Sequence, residues 1–184
     1  MKKKTVALIL ALVMVFGAAV GGTIAYLTAT DSVTNTFTVG KVAITLDEAK
    51  VDDMGVEVPN AARVDANTYK LIPGHTYTKD PIVHVDANSE ACWVFAKIEN
   101  GLGNDGTLAM SADWTEIDAT KHIYAYKDIV KGGESTTAVF NTFTFAGTAD
   151  PADYKDAEIV VTGYAVQADG FTTAQAAWTA AFGA

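Results

Sequence analysis

The chain has 184 residues with 13 basic and 22 acidic side chains, a formal net charge of -9, and 49% apolar residues. That acidity repels phosphate backbones and excludes nucleic acid as a partner. A single cysteine, Cys92, excludes an intrachain disulfide.

Lys2, Lys3 and Lys4 precede an uncharged run over residues 5–30, apolar from Val6 to Val20 and ending in small residues around Gly21 and Gly22. A basic start, an apolar centre and a small-residue exit are the three parts of a secretory signal, so residues 1–25 are read as a signal helix. Thr23, Ile24, Ala25 and Tyr26 form the cleavage region, with the cut placed near Ala25. A run of this length also suits a retained anchor, because spanning a bilayer takes ~20 apolar residues. Glycines at 17, 21 and 22 weaken the helix end and favour cleavage. Cleavage leaves about 159 residues (184 minus 25) and ten basic against 22 acidic groups, enough chain for one domain.

Residues 26–39 form an extended segment with Val33, Phe37 and Val39 on one face and Thr34, Thr36 and Thr38 on the other. Val42, Ile44 and Leu46 continue the alternation, and residues 47–67 read as a long excursion or a short hairpin. Strands are expected over 82–85, 92–98, 122–126, 136–140 and 159–166, the last being the window richest in β-branched residues. Pro73-Gly74, residues 101–106 and Gly132-Gly133 supply the turn chemistry between them. In the strand at 92–98, Cys92, Val94, Ala96 and Ile98 share one face, which makes Cys92 a small buried side chain rather than a nucleophile.

Only the end of the chain has helical spacing. Ala174, Ala177, Trp178, Ala181 and Phe182 share one face of a helix near 172–182, with Thr172 or Thr173 as its cap and Gly183 as its stop. The alternative role for Trp178 and Phe182 is to dock a neighbouring molecule. Short strands with polar turns and no interleaved helices predict an all-β fold: an antiparallel jelly-roll-type β-sandwich over residues 40–184 with a short C-terminal helix.

Chemistry-bearing residues are sparse. His75, His84 and His122 have no metal-ligand spacing, and His84, between Val83 and Val85, is expected to face solvent. No nucleophile elbow, phosphate loop or dinucleotide fingerprint occurs, so no catalytic residue, cofactor or metal ligand is assigned and the chain reads as a non-enzyme. Calcium is the one ion left open, at residues 86–90 and 104–105. Residue 91 of the first cluster is Ala where an EF-hand needs Gly, and residue 97 is Lys where it needs Glu. Asx-turn chemistry accounts for Asp86 and Asn88 without an ion.

The signal exit through Gly21-Gly22-Thr23-Ile24-Ala25-Tyr26, then Phe37-Thr38-Val39-Gly40, the turn Ile72-Pro73-Gly74-His75, the run Lys79-Asp80-Pro81-Ile82-Val83-His84-Val85 and the strand from Cys92 to Ile98 resemble the TasA/camelysin family of Gram-positive bacteria. The resemblance covers the signal, about two-thirds of the strand region and, more loosely, residues 167–171. It implies export through a SipW-type signal peptidase, with transient membrane contact through the signal. It also implies a jelly-roll subunit at the cell surface or in the biofilm matrix, self-association into a homopolymer, and other matrix proteins as further partners. In such fibres the freed N-terminal segment adds a strand to the next subunit. Here residues 26–39 suit either that role or a first strand in their own sheet. The expected function is therefore a secreted structural protein. A secreted adhesin or surface-ligand-binding module is the alternative, and a camelysin-like metalloprotease, for which the sequence holds no zinc signature, comes third.

Overall fold

The computed structural model describes residues 41–183. The signal helix, the cleavage region Thr23 to Tyr26, and Val33, Phe37 and Val39 lie outside the described residues. Among the described residues nine strands precede one helix: β1 (Ile44–Asp47), β2 (Thr76–Thr78), β3 (Ile82–Val85), β4 (Cys92–Asn100), β5 (Gly106–Met110), β6 (Trp114–Asp118), β7 (Ile123–Tyr126), β8 (Phe140–Phe145), β9 (Ile159–Gln167) and α1 (Ala174–Phe182). Every strand pairing is antiparallel, so the described residues are all-β with one short helix at their end.

β4 is the central strand because its sequence is apolar on both faces. Cys92, Val94, Ala96 and Ile98 are buried on one side and Phe95 on the other. It lies between β7 and β9 in a four-stranded sheet of order β6-β7-β4-β9. The opposing layer consists of the pair β1-β3 and the triple β2-β8-β5. One stretch of chain joins these two pieces. Residues 133–139 run beside β3, with Val85 N–H donating to Glu134 O at 2.9 Å, Thr136 N–H to Val83 O at 2.9 Å and Val139 N–H to Pro81 O at 2.9 Å. The same chain then becomes β8, between β2 and β5.

Between the layers, Val83 and Val85 pack with Val94, Ala96, Ile98, Val139 and Phe140 in the main core. A second cluster joins Tyr77, Leu102, Phe143 and Phe145, in which Tyr77 stacks on Phe143 with centroids 4.8 Å apart. β1 and β3 pack on β9 at Gly163, where a Cβ would sit at the ordinary contact distance of 3.4–3.5 Å from Ile44, Leu46 and Val83.

α1 covers the outer face of the four-stranded sheet. Thr173 is its cap, its hydroxyl accepting from Ala176 N–H at 3.2 Å, and Gly183 N–H closes the other end on Thr179 O. Ala177 and Trp178 are buried against Phe95, Ile123 and Ala125. Nine residues are too few for a stable free helix, so this apolar face holds it in place.

The turns follow their residues. Gly74 has φ +76° and His75 N–H bonds Ile72 O at 3.0 Å, as expected of Pro-Gly. Residues 47–67 form an irregular hairpin held by bridges Glu48–Val64 and Val51–Glu57. Two expectations need correction. The strand placed at 136–140 begins at Phe140 and runs to Phe145, because Phe140, Phe143 and Phe145 supply the buried face while residues 136–139 touch β3 only intermittently. β5 and β6 have no counterpart in the sequence reading: each has only one fully buried residue, Gly106 or Trp114, so neither shows a strong apolar alternation.

Candidate assembly groove and the polar cluster on its floor

β1 and β9 end their respective sheets, and among the described residues no strand pairs with the outer edge of either. Leu46 of β1 and Ile159 to Val161 of β9 line part of a groove of about 780 Å³, together with residues 65–71 and 154–158. Leu46, Tyr69, Leu71, Phe143, Ile159 and Val161 give it an apolar floor in which the largely buried Glu48 and Lys79 are set, and the exposed Asp156 and Glu158 give it a charged rim. No residue of β9 is fully buried despite its apolar sequence, and Val160 is 40% exposed. Unpaired backbone beside half-covered apolar side chains is the arrangement that accepts an added strand.

At one end of the groove the hairpin 47–67 is fastened to β1 and to the chain entering β3. Arg63, the only arginine in the chain, donates from Nε to Asp47 Oδ1 at 2.5 Å and from Nη1 to Asp80 Oδ2 at 3.0 Å. Its Nη2 reaches the carbonyls of Asp47 at 3.2 Å and Asp80 at 2.9 Å. Partial burial works against ionisation of Asp47, but the bonds from Arg63 and His84 outweigh it and hold the carboxyl below its ordinary value. His84 corrects an expectation, since it is not a free solvent-facing ring. Its Nε2 lies 2.9 Å from Asp47 Oδ1 and its Nδ1 2.7 Å from Ser135 Oγ.

Beside this network, Glu48 is buried and bonded to both Lys79 and Asn67. The Tyr69 hydroxyl donates to Thr78 O at 3.1 Å, and its pKa is driven upward by burial and then by the nearby Glu48 and Asp80 charges. Local sequence patterns carry no sign of this cluster, because its members are brought together from β1, the hairpin and the approach to β3. The one available signal was Arg63, a lone arginine in an acidic stretch.

No family model matches this chain, and neither does any curated protein or solved structure.

Of the other residues singled out in the sequence, Trp178 belongs to the core. It is 7% exposed, with ring centroids 5.1 Å from Phe95 and 5.5 Å from Tyr164. Phe182 is 44% exposed and borders a second, shallower cleft with Lys97, Lys121, His122 and Tyr164. Cys92 is fully buried, and burial pushes its thiol up to about 11. His75 Nε2 is 2.9 Å from Met54 O, and His122 Nδ1 is 3.7 Å from Glu116 Oε1. Asp86 Oδ1 accepts from Asn88 N–H at 2.8 Å in an Asx turn, and Asp105 accepts from the Tyr154 hydroxyl at 2.5 Å. Among the described residues no group of three or more His, Cys, Asp or Glu is placed to hold a metal, and no helix is long and apolar enough to cross a membrane.

Proposed function

We propose that this chain is a secreted structural protein of the cell surface or biofilm matrix of a Gram-positive bacterium, and that it assembles into fibres by strand donation. In this reading the body is a jelly-roll-type sandwich. Cleavage near Ala25 by a SipW-type peptidase frees residues 26–39, which enter the groove of a neighbouring copy. The observation that carries it is the groove lined in part by β1 and β9, whose outer edges are unpaired among the described residues. A donated strand would place Val33, Phe37 and Val39 on the apolar floor and its threonines toward the rim. Extended, residues 26–39 span roughly 45–50 Å, whereas the nine residues of β9 cover only ~30 Å. The segment is therefore long enough to line β9 and still link two bodies. The net negative charge keeps unassembled subunits apart, so association depends on the strand. The role is non-enzymatic and uses no cofactor, and other matrix proteins are further partners.

The test is electron microscopy of the mature chain beside a variant lacking residues 26–34. Fibres from the first and monomers from the second are expected, and unchanged fibres from the deletion would refute strand donation. The open aromatic cleft at Tyr164 and Phe182 favours a second reading, a surface-ligand-binding module. Retention of monomer on cell-wall glycans, lost in Phe182→Ala, would support it instead.

A further inference from the structure

Glu48, Lys79 and Asn67 form more than an ion pair. The Glu48 side chain is 3% exposed and that of Lys79 12%. Glu48 Oε2 accepts from Lys79 Nζ, and Oε1 accepts from Asn67 Nδ2 at 2.9 Å, so an amine and a carboxamide occupy the two oxygens of one buried carboxylate. The carboxamide is oriented from both sides. Its Oδ1 accepts from Val51 N–H at 3.0 Å, and its Nδ2 also donates to Ala49 O at 2.8 Å. Burying a lysine–glutamate pair is costly and adds little stability by itself, and such a pair has no need of a fixed amide as third member.

Each element has a chemical use. A primary amide resists attack by an amine in water because the amine is protonated, the encounter is rare and the leaving nitrogen needs a proton. Here the amine and the amide are each held on one oxygen of the same carboxylate, which raises their effective concentration. A carboxylate bonded to both nitrogens can take a proton from one and deliver it to the other. The Val51 N–H points at the oxygen on which negative charge would develop.

We propose that Lys79 and Asn67 condense into an intramolecular amide cross-link, with Glu48 carrying the protons. Glu48 accepts a proton from the Lys79 ammonium, and the freed lone pair forms a bond from Nζ to Cγ of Asn67. The carbonyl electron pair moves onto Oδ1, where Val51 N–H holds it. Glu48 protonates Nδ2 and takes the second proton from Nζ. The oxygen pair then re-forms the carbonyl as the C–Nδ2 bond breaks, and ammonia leaves, taking the proton from Glu48 as ammonium. Lysine ammonium and carboxamide become a secondary amide and ammonium, with Glu48 restored as a carboxylate and no oxidant consumed. The link ties the hairpin to the chain before β3 in a protein whose one cysteine forms no intrachain disulfide.

Intact mass spectrometry of the purified, denatured chain, its N-terminus fixed by sequencing, tests this. Loss of one ammonia, roughly 17 Da below the sequence mass, is expected. A tryptic peptide joining the Asn67 and Lys79 regions, with no cleavage after Lys79, is expected as well. Glu48→Gln and Lys79→Arg should both return to full mass, the latter retaining a cation for Glu48 and its cooperative thermal unfolding. Asn67→Asp should form the same link with loss of water instead, about 18 Da. A folded wild-type chain at full mass with Lys79 free would overturn the proposal and leave an ion pair. An unchanged ammonia loss in Lys79→Arg would also overturn it, placing that loss at another residue.

Discussion

Arg63→Met tests whether the guanidinium fastens the hairpin 47–67 to the sandwich. The substitution keeps the apolar stem and removes four hydrogen bonds, two to carboxylates and two to carbonyls. The ion pairs are about a quarter to a third exposed. Each is therefore worth more than the ~0–1 kcal/mol of a fully exposed pair and less than the ~3–5 kcal/mol cost of breaking a buried one. Asp47 retains His84 and Asp80 retains the Ala49 N–H at 2.6 Å, so neither carboxylate is orphaned. A loss of about 2–3 kcal/mol at pH 7 follows, lowering Tm by roughly 5–10 °C in a domain of this size. The pH dependence has a fixed sign. Asp47 is held below its ordinary value of 3.8, so its contribution is present above that pH and is lost as the pH falls through the depressed pKa. Wild type and variant should therefore converge in acid. Thermal or urea unfolding between pH 2 and pH 7 measures the gap. A difference below about 0.5 kcal/mol at pH 7, or one unchanged in acid, would refute the fastening role.

Trp178→Ala should cost about 3–5 kcal/mol and release α1, seen as rapid amide exchange over its residues, whereas Phe182→Ala should cost under ~1 kcal/mol in the monomer. Equal losses in thermal unfolding would contradict the buried and exposed placements of these rings. Native Cys92 should resist an alkylating reagent at pH 8 and react on unfolding, since its raised pKa and burial leave little accessible thiolate. The same shift makes its stability contribution complete below 9.0 and lost as the pH rises through about 11, a loss that Cys92→Ala should remove from the alkaline unfolding curve.

Strands with a strong apolar face were legible in the sequence. Cys92, Val94, Ala96 and Ile98 alternate because β4 has a core on that side, and the terminal helix was visible in the spacing of Ala177 and Trp178. β5 and β6 were not legible, because edge strands bury too few side chains to impose a period. The register of β8 slipped because residues 136–139 are as β-prone as the strand they precede. His84 was misjudged for a different reason. Alternation correctly put it opposite Val83 and Val85, and the side chain stays 31% exposed, but Asp47 and Ser135 from distant parts of the chain bond both of its nitrogens. Glu48, Asn67 and Lys79 were invisible for the same reason, since their meeting depends on the path of the hairpin rather than on any local spacing.

The register of β4 with β9 also governs when this protein can fold. Cys92 pairs with Gln167 and Asn100 with Ile159, so the strand with the most buried side chains waits for residues 159–167 while β5 to β8 lie between them. Pairing at such sequence separation is slow. A chain emerging from its N-terminus therefore displays residues 92–100 with one edge open until residues 159–167 have followed. Any truncation before Gln167 leaves that edge permanently bare, and premature termination should yield aggregates rather than a smaller soluble body.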